Sequence, residues 1–247
     1  MKNALTSLWS VAKLVGLAET VPMQTTRLYE GHVANYPVSL TLTTANNLAY
    51  GTLVYTRSGI PIQVVGTLHG PSLLMHEFDK KGNVMGIYSG KRTSKGFLGL
   101  WNSPSAAGPE MPFDLTSGVA TKPEKPLKLT DLTGTYEYNF GPKASSATLY
   151  VQQLDARNIW IAMQGVTGEP ARHLAIIDRT LLRLSGNQAI YTSAEKGKCA
   201  IRLTFFNDGA CVDFLDESAN CGFGDAATVT GNYVRTNSQT PLFQYLN

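Results

Sequence analysis

The chain has 247 residues, of which 43% are hydrophobic and 16% charged, and a net charge of +3. This composition supplies a proper core and excludes a disordered chain, and so mild a basic bias excludes the footprint of a nucleic-acid binder. No run of about 18 apolar residues occurs, which excludes a spanning helix and leaves one large domain or two small ones.

The first segment, residues 1–26, places Leu5, Leu8, Ala12 and Val15 at helical spacing. This predicts an amphipathic helix over residues 4–18, ended by Pro22. Ser7, Ser10 and Lys13 interrupt its apolar stretch and no small-x-small cleavage site follows, so it makes a poor signal peptide.

From Leu28 the period becomes two. In "YPVSLTLTT" Val38, Leu40 and Leu42 face one way and Ser39, Thr41 and Thr43 the other, the mark of a half-buried strand. "GTLVYT", "IQVVGTL", "SLLMHEF", "VMGIYSG" and "GFLGLWN" follow at short intervals. Turns such as Arg57-Ser58-Gly59 and Asp79-Lys80-Lys81-Gly82-Asn83 separate them, with glycine supplying the positive φ of a tight reversal. These strands define a β-domain over residues 27–116. Residues 117–130, rich in lysine and proline without apolar periodicity, read as a linker.

The pattern resumes in a second β-domain over residues 131–247. Its strand candidates are "GTYEYNF", "ATLYVQQLD", "NIWIAMQGV", "HLAIIDR", "LLRLSG", "QAIYTSA", "CAIRLTFF", "ACVDFLD" and "GNYVRT". Many short alternating strands with glycine turns make an antiparallel barrel or sandwich. The fold expected is therefore all-β: two small antiparallel β-barrel or sandwich domains with a short N-terminal helix.

All three cysteines fall in this second half. Cys199 shares an inward face with Ile201, Leu203 and Phe205. A bond from Cys199 to Cys221 would flank a hairpin and close a loop of about 23 residues, worth about 3 kcal/mol in the chain-entropy model. Cys211 would then be left over, pointing away from the face of Val212 and Phe214. Other pairings, and three reduced thiols in a cytoplasmic protein, stay open on spacing alone.

"CAIRLTFF" followed by "CGFG" and "GNYVR" resembles the end of a domain found in uncharacterised bacterial secreted proteins and lipoproteins. "YEGHVANYPVSLTL", "GIPIQVVGTL", "MHEFDKKGNVMGIYSG" and "FLGLWNSP" resemble its first half. The resemblance implies an extracytoplasmic all-β module, periplasmic or secreted, with a Cys199–Cys221 bridge. It implies no activity. Small disulfide-stapled lysozyme inhibitors and immunity proteins offer an analogy at the level of fold.

Chemistry is sparse. No phosphate loop occurs, and no strand–helix alternation to carry one. Two Ser-x-x-Lys matches, at Ser10 and Ser193, lack the companion motifs of that enzyme class. No cofactor is expected, and a zinc site near the cysteines lacks a fourth ligand. His69 and His76 lie on adjacent strands beside Glu77, but His76 and Glu77 are consecutive and point to opposite faces. Glu77 follows Leu73 and Met75 on one face. If that face is the interior, its carboxylate needs a partner such as an arginine or a tyrosine hydroxyl. Lys91, Arg92 and Lys95 form a basic hairpin suited to an acidic partner.

These features predict a non-enzymatic, extracytoplasmic protein-binding protein, engaged through strand edges, hairpin loops or the N-terminal helix. An inhibitor or immunity-like role against an envelope enzyme is its concrete form. Two other classes are weighed: a small-ligand carrier, which needs an enclosed cavity of about 300 Å³ or more, and an enzyme, which needs His69, His76 or Glu77 to meet a second ionisable group in a cleft.

Overall fold

A computed structural model describes residues 24–105, 108–120, 131–193, 199–216 and 220–243. They form two closed antiparallel barrels of eight strands each, and no α-helix occurs among the described residues. The helix expected over residues 4–18 lies outside the described residues.

The first barrel comprises β1 (Gln24–Val33), β2 (Tyr36–Ala45), β3 (Leu48–Tyr55), β4 (Pro61–His69), β5 (Ser72–Phe78), β6 (Val84–Arg92), β7 (Gly96–Asn102) and β8 (Glu110–Ala120). Each strand pairs with the next, and β1 closes the barrel on β8. The second comprises β9 (Gly134–Asn139), β10 (Ser146–Gln153), β11 (Asn158–Val166), β12 (Leu174–Ser185), β13 (Gln188–Ser193), β14 (Cys199–Phe206), β15 (Gly209–Phe214) and β16 (Gly231–Asn237). It closes through β16 on β9.

Two sequence expectations need correction. Strand β8 was not anticipated, and it continues to Ala120, four residues into the stretch read as linker. "HLAIIDR" and "LLRLSG" belong to one strand, β12. A register shift between Ile161 and Met163 of β11 lets β12 carry the polar Asp178-Arg179 pair without ending.

Alternation builds both interiors. In β9, Tyr136 and Tyr138 are buried between half-exposed neighbours, as are Leu149 and Val151 in β10 and Ile201 and Leu203 in β14. Leu40, Leu53, Met75, Tyr88 and Leu115 fill the first barrel; Tyr136, Leu149, Ile159, Phe205 and Tyr233 fill the second.

Alternation fails where consecutive residues are both buried: Ala49-Tyr50, Val64-Val65, Glu77-Phe78 and Phe205-Phe206. One member of each pair faces its own interior and the other faces the neighbouring barrel. Leu48, Tyr50, Val65, Phe78 and Val84 leave the first barrel's core and join the second barrel's apolar cluster. Tyr50 stacks on Phe206 with ring centroids 4.6 Å apart. Polar contacts frame the junction: Gln63 Nε2 donates to Asp208 O (2.9 Å), and Asn139 N donates to Gly82 O (2.9 Å). Gly82 has φ +78°, and a Cβ there would sit 2.8 Å from the Cβ of Glu137. Both the turn and the approach of the second barrel therefore require glycine.

The second barrel is tied at its ends. Arg235 donates to the carbonyls of Asp131 (3.0 Å) and Thr133, clasping β16 to the start of β9. A disulfide joins Cys199 to Cys221, both buried, across a sequence separation of 22. It anchors the connection between β15 and β16. That connection is also held by Gly224 N donating to Leu174 O (2.9 Å) and by Tyr138 Oη donating to Thr230 O (3.2 Å). Such a bond persists in oxidising compartments and thereby weakly favours an extracytoplasmic location. No helix among the described residues is long and apolar enough to cross a membrane.

Replacing both Cys199 and Cys221 by alanine should lower the unfolding free energy by about 3 kcal/mol, read as a lower urea midpoint. An unchanged midpoint would contradict a bridged loop that contributes to stability.

Candidate functional site

Strand pairing decides which chemistry-bearing residues meet. Glu77 of β5 lies opposite Val64 and Gly86, on the inward face shared with Leu73 and Met75. Tyr88 is inward on β6, Trp101 is its partner on β7, and Tyr55 is inward at the end of β3. The four converge near one end of the first barrel. Glu77 is 3% exposed. Its Oε1 accepts hydrogen bonds from Tyr88 Oη (2.7 Å) and Tyr55 Oη (2.8 Å). The indole N–H of Trp101 has no partner of ordinary hydrogen-bond geometry, yet it lies close enough to the carboxylate to favour its charge. Gly86 makes room, because a methyl there would run into the Trp101 indole and the Glu77 carboxylate.

Burial pushes the Glu77 carboxyl above its ordinary value, and the bonds from Tyr88 and Tyr55, with the nearby Trp101 indole N–H, draw it part of the way back. Burial, followed by the nearby Glu77 charge, raises both phenols above theirs, so Tyr55 and Tyr88 keep their protons and act as donors. The sequence pointed to a tyrosine hydroxyl as one form of partner. It could not say which tyrosines, because their convergence depends on pairing across three strands.

His76 points the other way, into the junction between the barrels. Its ring meets Phe140 edge-on at 5.3 Å and Phe78 at 6.1 Å. Burial among these rings lowers its pKa to about 4. His69 is exposed on the outer face of β4, in a row with Ser72 and Lys91. His69, His76 and Glu77 thus occupy three separate environments. Among the described residues no three His, Cys, Asp or Glu side chains are grouped as a metal ion would require.

The basic hairpin divides as well. Lys91 points outward beside Leu98, Lys95 sits in the exposed turn, and Arg92 turns inward over the Phe97 ring at the barrel mouth. Arg27, which the sequence reading passed over, shares that mouth. Its signal was parity: it lies two residues before the inward Tyr29. Cys211 is free and faces out of its barrel as expected. It is nonetheless buried, because that face abuts the junction with Leu48 and Thr67. Burial, reinforced by Asp213, pushes its thiol far above the ordinary value.

A further feature lies at the seam between β12 and β13. Eight residues of β12 pair with β11, but only Leu184 and Ser185 pair with β13. The two strands then diverge. Among the described residues, no strand pairs with the edge of β12 from Ala175 to Arg183 on this side. Ile176 and Leu181 of β12 and Ile190 of β13 stand exposed around the seam. Trp160 lies opposite Leu181, with the Arg179 guanidinium 4.3 Å above its ring.

Open hollows among the described residues include the first barrel's mouth, about 350 Å³, the cleft between barrels beside Tyr50 and Phe206, about 450 Å³, and a hollow at Leu48, Thr67 and Cys211, about 350 Å³. No protein-family model matches the chain, and neither does any curated protein or solved structure.

Among the buried titrating groups, His76 and Glu77 give opposite signs in stability against pH. Between about pH 4 and 6.5 the unfolded chain holds a proton on His76 that the folded protein lacks. Stability therefore falls as pH drops through that window. Folded Glu77 holds its proton more tightly than the unfolded chain, so its contribution is full in acid and fades as pH rises through its raised value. Asp79 and Asp131 have lowered values and act below about 3.8, outside the histidine window. Urea midpoints measured across pH should show His76→Leu flattening the loss between pH 6.5 and 4, worth up to about 3 kcal/mol. Glu77→Gln should remove the opposing decline, which begins at the unfolded carboxyl value of 4.5, and so steepen the histidine limb. An acid limb unaltered in the His76 variant would contradict this assignment.

Proposed function

We propose that the protein is a non-enzymatic, extracytoplasmic binding protein whose partner is another protein. The observation that carries this reading is the edge of β12 from Ala175 to Arg183, which among the described residues pairs with no strand on its β13 side. A strand edge presents a row of backbone donors and acceptors, a ready template for pairing with another chain. Around this edge stand Ile176, Leu181 and Ile190, with Trp160 beside them. An extended segment of a partner, about six residues long, would hydrogen-bond to the β12 backbone and set alternate apolar side chains against these groups.

The packed interiors support binding at the surface over carriage inside. Leu53, Met75, Tyr88 and Leu115 occupy the space a carried ligand would need in the first barrel. The buried ionisable groups are engaged in the fold itself: Glu77 by two phenols, His76 by aromatic edges. The disulfide, in turn, supports an envelope or secreted setting. Blocking an envelope enzyme, as an inhibitor or immunity-like protein, is the concrete form of this role, since a rigid β-scaffold with an open edge can occupy a partner's extended segment.

The test is selection of displayed random peptides against the purified protein. Enriched sequences should alternate apolar and polar residues. N-methylation of alternate backbone amides in a selected peptide should weaken binding at least tenfold, about 1.4 kcal/mol. The paired change Ile176→Lys with Leu181→Lys should do the same. Failure to enrich any peptide, or binding indifferent to both changes, would overturn the reading.

A further inference from the structure

The mouth of the first barrel, at the end where β1 begins and β6 ends, changes character within one ring of side chains. Pairing sets Thr25 opposite Thr44, Arg27 opposite Leu42, and Tyr29 opposite Leu40 and Ser117. On the far wall Arg92 lies opposite Phe97. Because side chains alternate along a strand, Thr25, Arg27 and Tyr29 share the inward face of β1, and Arg92 shares that of β6 with Tyr88. The deeper ring is apolar: Leu42, Phe97 and Leu115 are each about 1% exposed. The outermost ring is polar, and it encloses the mouth of about 350 Å³.

Two guanidinium groups and several hydroxyls line this mouth, and among the described residues its lining contains no carboxylate. Among the described residues neither Arg27 nor Arg92 has an ion-pair partner. Their counterpart in the second barrel behaves differently. Arg235, also at a barrel end, places its terminal donors on the carbonyls of Asp131 and Thr133. The floor is rigid: Tyr29 and Phe97 are buried with ring centroids 5.1 Å apart, and the Arg92 guanidinium lies 5.7 Å above the Phe97 ring. Burial raises the Tyr29 phenol, while Arg92 and then Arg27 draw it down, so both cations act on the same hydroxyl.

We propose that this mouth is a binding site for a small, doubly charged oxyanion, of the phosphate-monoester or dicarboxylate class. Two cations aimed at one hollow without a counter-charge repel each other, and an oxyanion between them relieves that repulsion. The planar fork of each guanidinium matches a carboxylate or phosphate edge. Thr25, Thr44, Ser117 and the Tyr29 hydroxyl surround the remaining oxygens, and the Phe97 ring holds the Arg92 fork in place. This site is independent of the β12 edge, and either can fail without the other.

The experiment is a nuclear magnetic resonance titration of the full chain with labelled arginine, following the side-chain Nε–H signals. Inorganic phosphate and succinate are the two probes, with chloride at matched ionic strength as the reference. Saturable shifts of Arg27 and Arg92 are expected with one probe, with a dissociation constant of about a millimolar or below. The better probe identifies which oxyanion class the mouth accepts. Arg27→Gln and Arg92→Gln should each weaken that binding at least tenfold while the rest of the spectrum stays folded. Lys80→Gln, on an exposed turn, should leave it unchanged. Shifts that grow linearly and match those in chloride, or saturable binding that persists in the double arginine variant, would overturn the proposal.

Discussion

Five apolar side chains of the first barrel turn their backs on it. Leu48, Tyr50, Val65, Phe78 and Val84 lie on its outer wall, where an isolated barrel would expose them to water, and they are buried against the second barrel. Burying each such side chain contributes on the order of 1.5–3 kcal/mol, and the Tyr50–Phe206 stack adds about 1 kcal/mol beyond its area. This contact makes one body of two closed sheets. Its consequences reach titrating groups on both walls: the lowered His76 of the first barrel and the raised Cys211 thiol of the second each owe their shift to the cover that the facing barrel provides.

The architecture was legible in the sequence because strict alternation is a strong signal when one face of a strand is wet. β9 and β10 carry it without a break. Two elements escaped for separate reasons. β8 places Pro112 between Met111 and Phe113, and its last turn of sequence runs into lysines and prolines, so its inward Phe113 and Leu115 were hidden by breaker residues. β12 carries Asp178-Arg179-Thr180 in its middle, which resembles a turn; the register shift against β11 absorbs it. The junction also left a trace that alternation alone passes over. Doublets such as Val64-Val65 and Phe205-Phe206 are what a strand needs when both its faces are covered.

The site residues divide along the same line. That Glu77 shares a face with Leu73 and Met75, and needs a donor if that face is the interior, followed from its spacing; the structure makes that face the interior. That the donors are Tyr55 and Tyr88 did not, since sequence separations of 22 and 11 become contacts only through the register of β3 to β6. The basic hairpin looked like one patch because its residues are adjacent. Adjacent residues in a strand face opposite ways, so Lys91 went to the surface and Arg92 to the mouth, where it meets a residue of β1 that lies far away in the chain.

The most direct test of the shared core is calorimetry of the intact protein. A common core predicts one thermal transition whose calorimetric and van't Hoff enthalpies agree, shifted as a whole to lower temperature by Phe206→Ala. Two resolved transitions, with only one of them moved by that substitution, would mean that the barrels fold independently and that the junction between them holds nothing together.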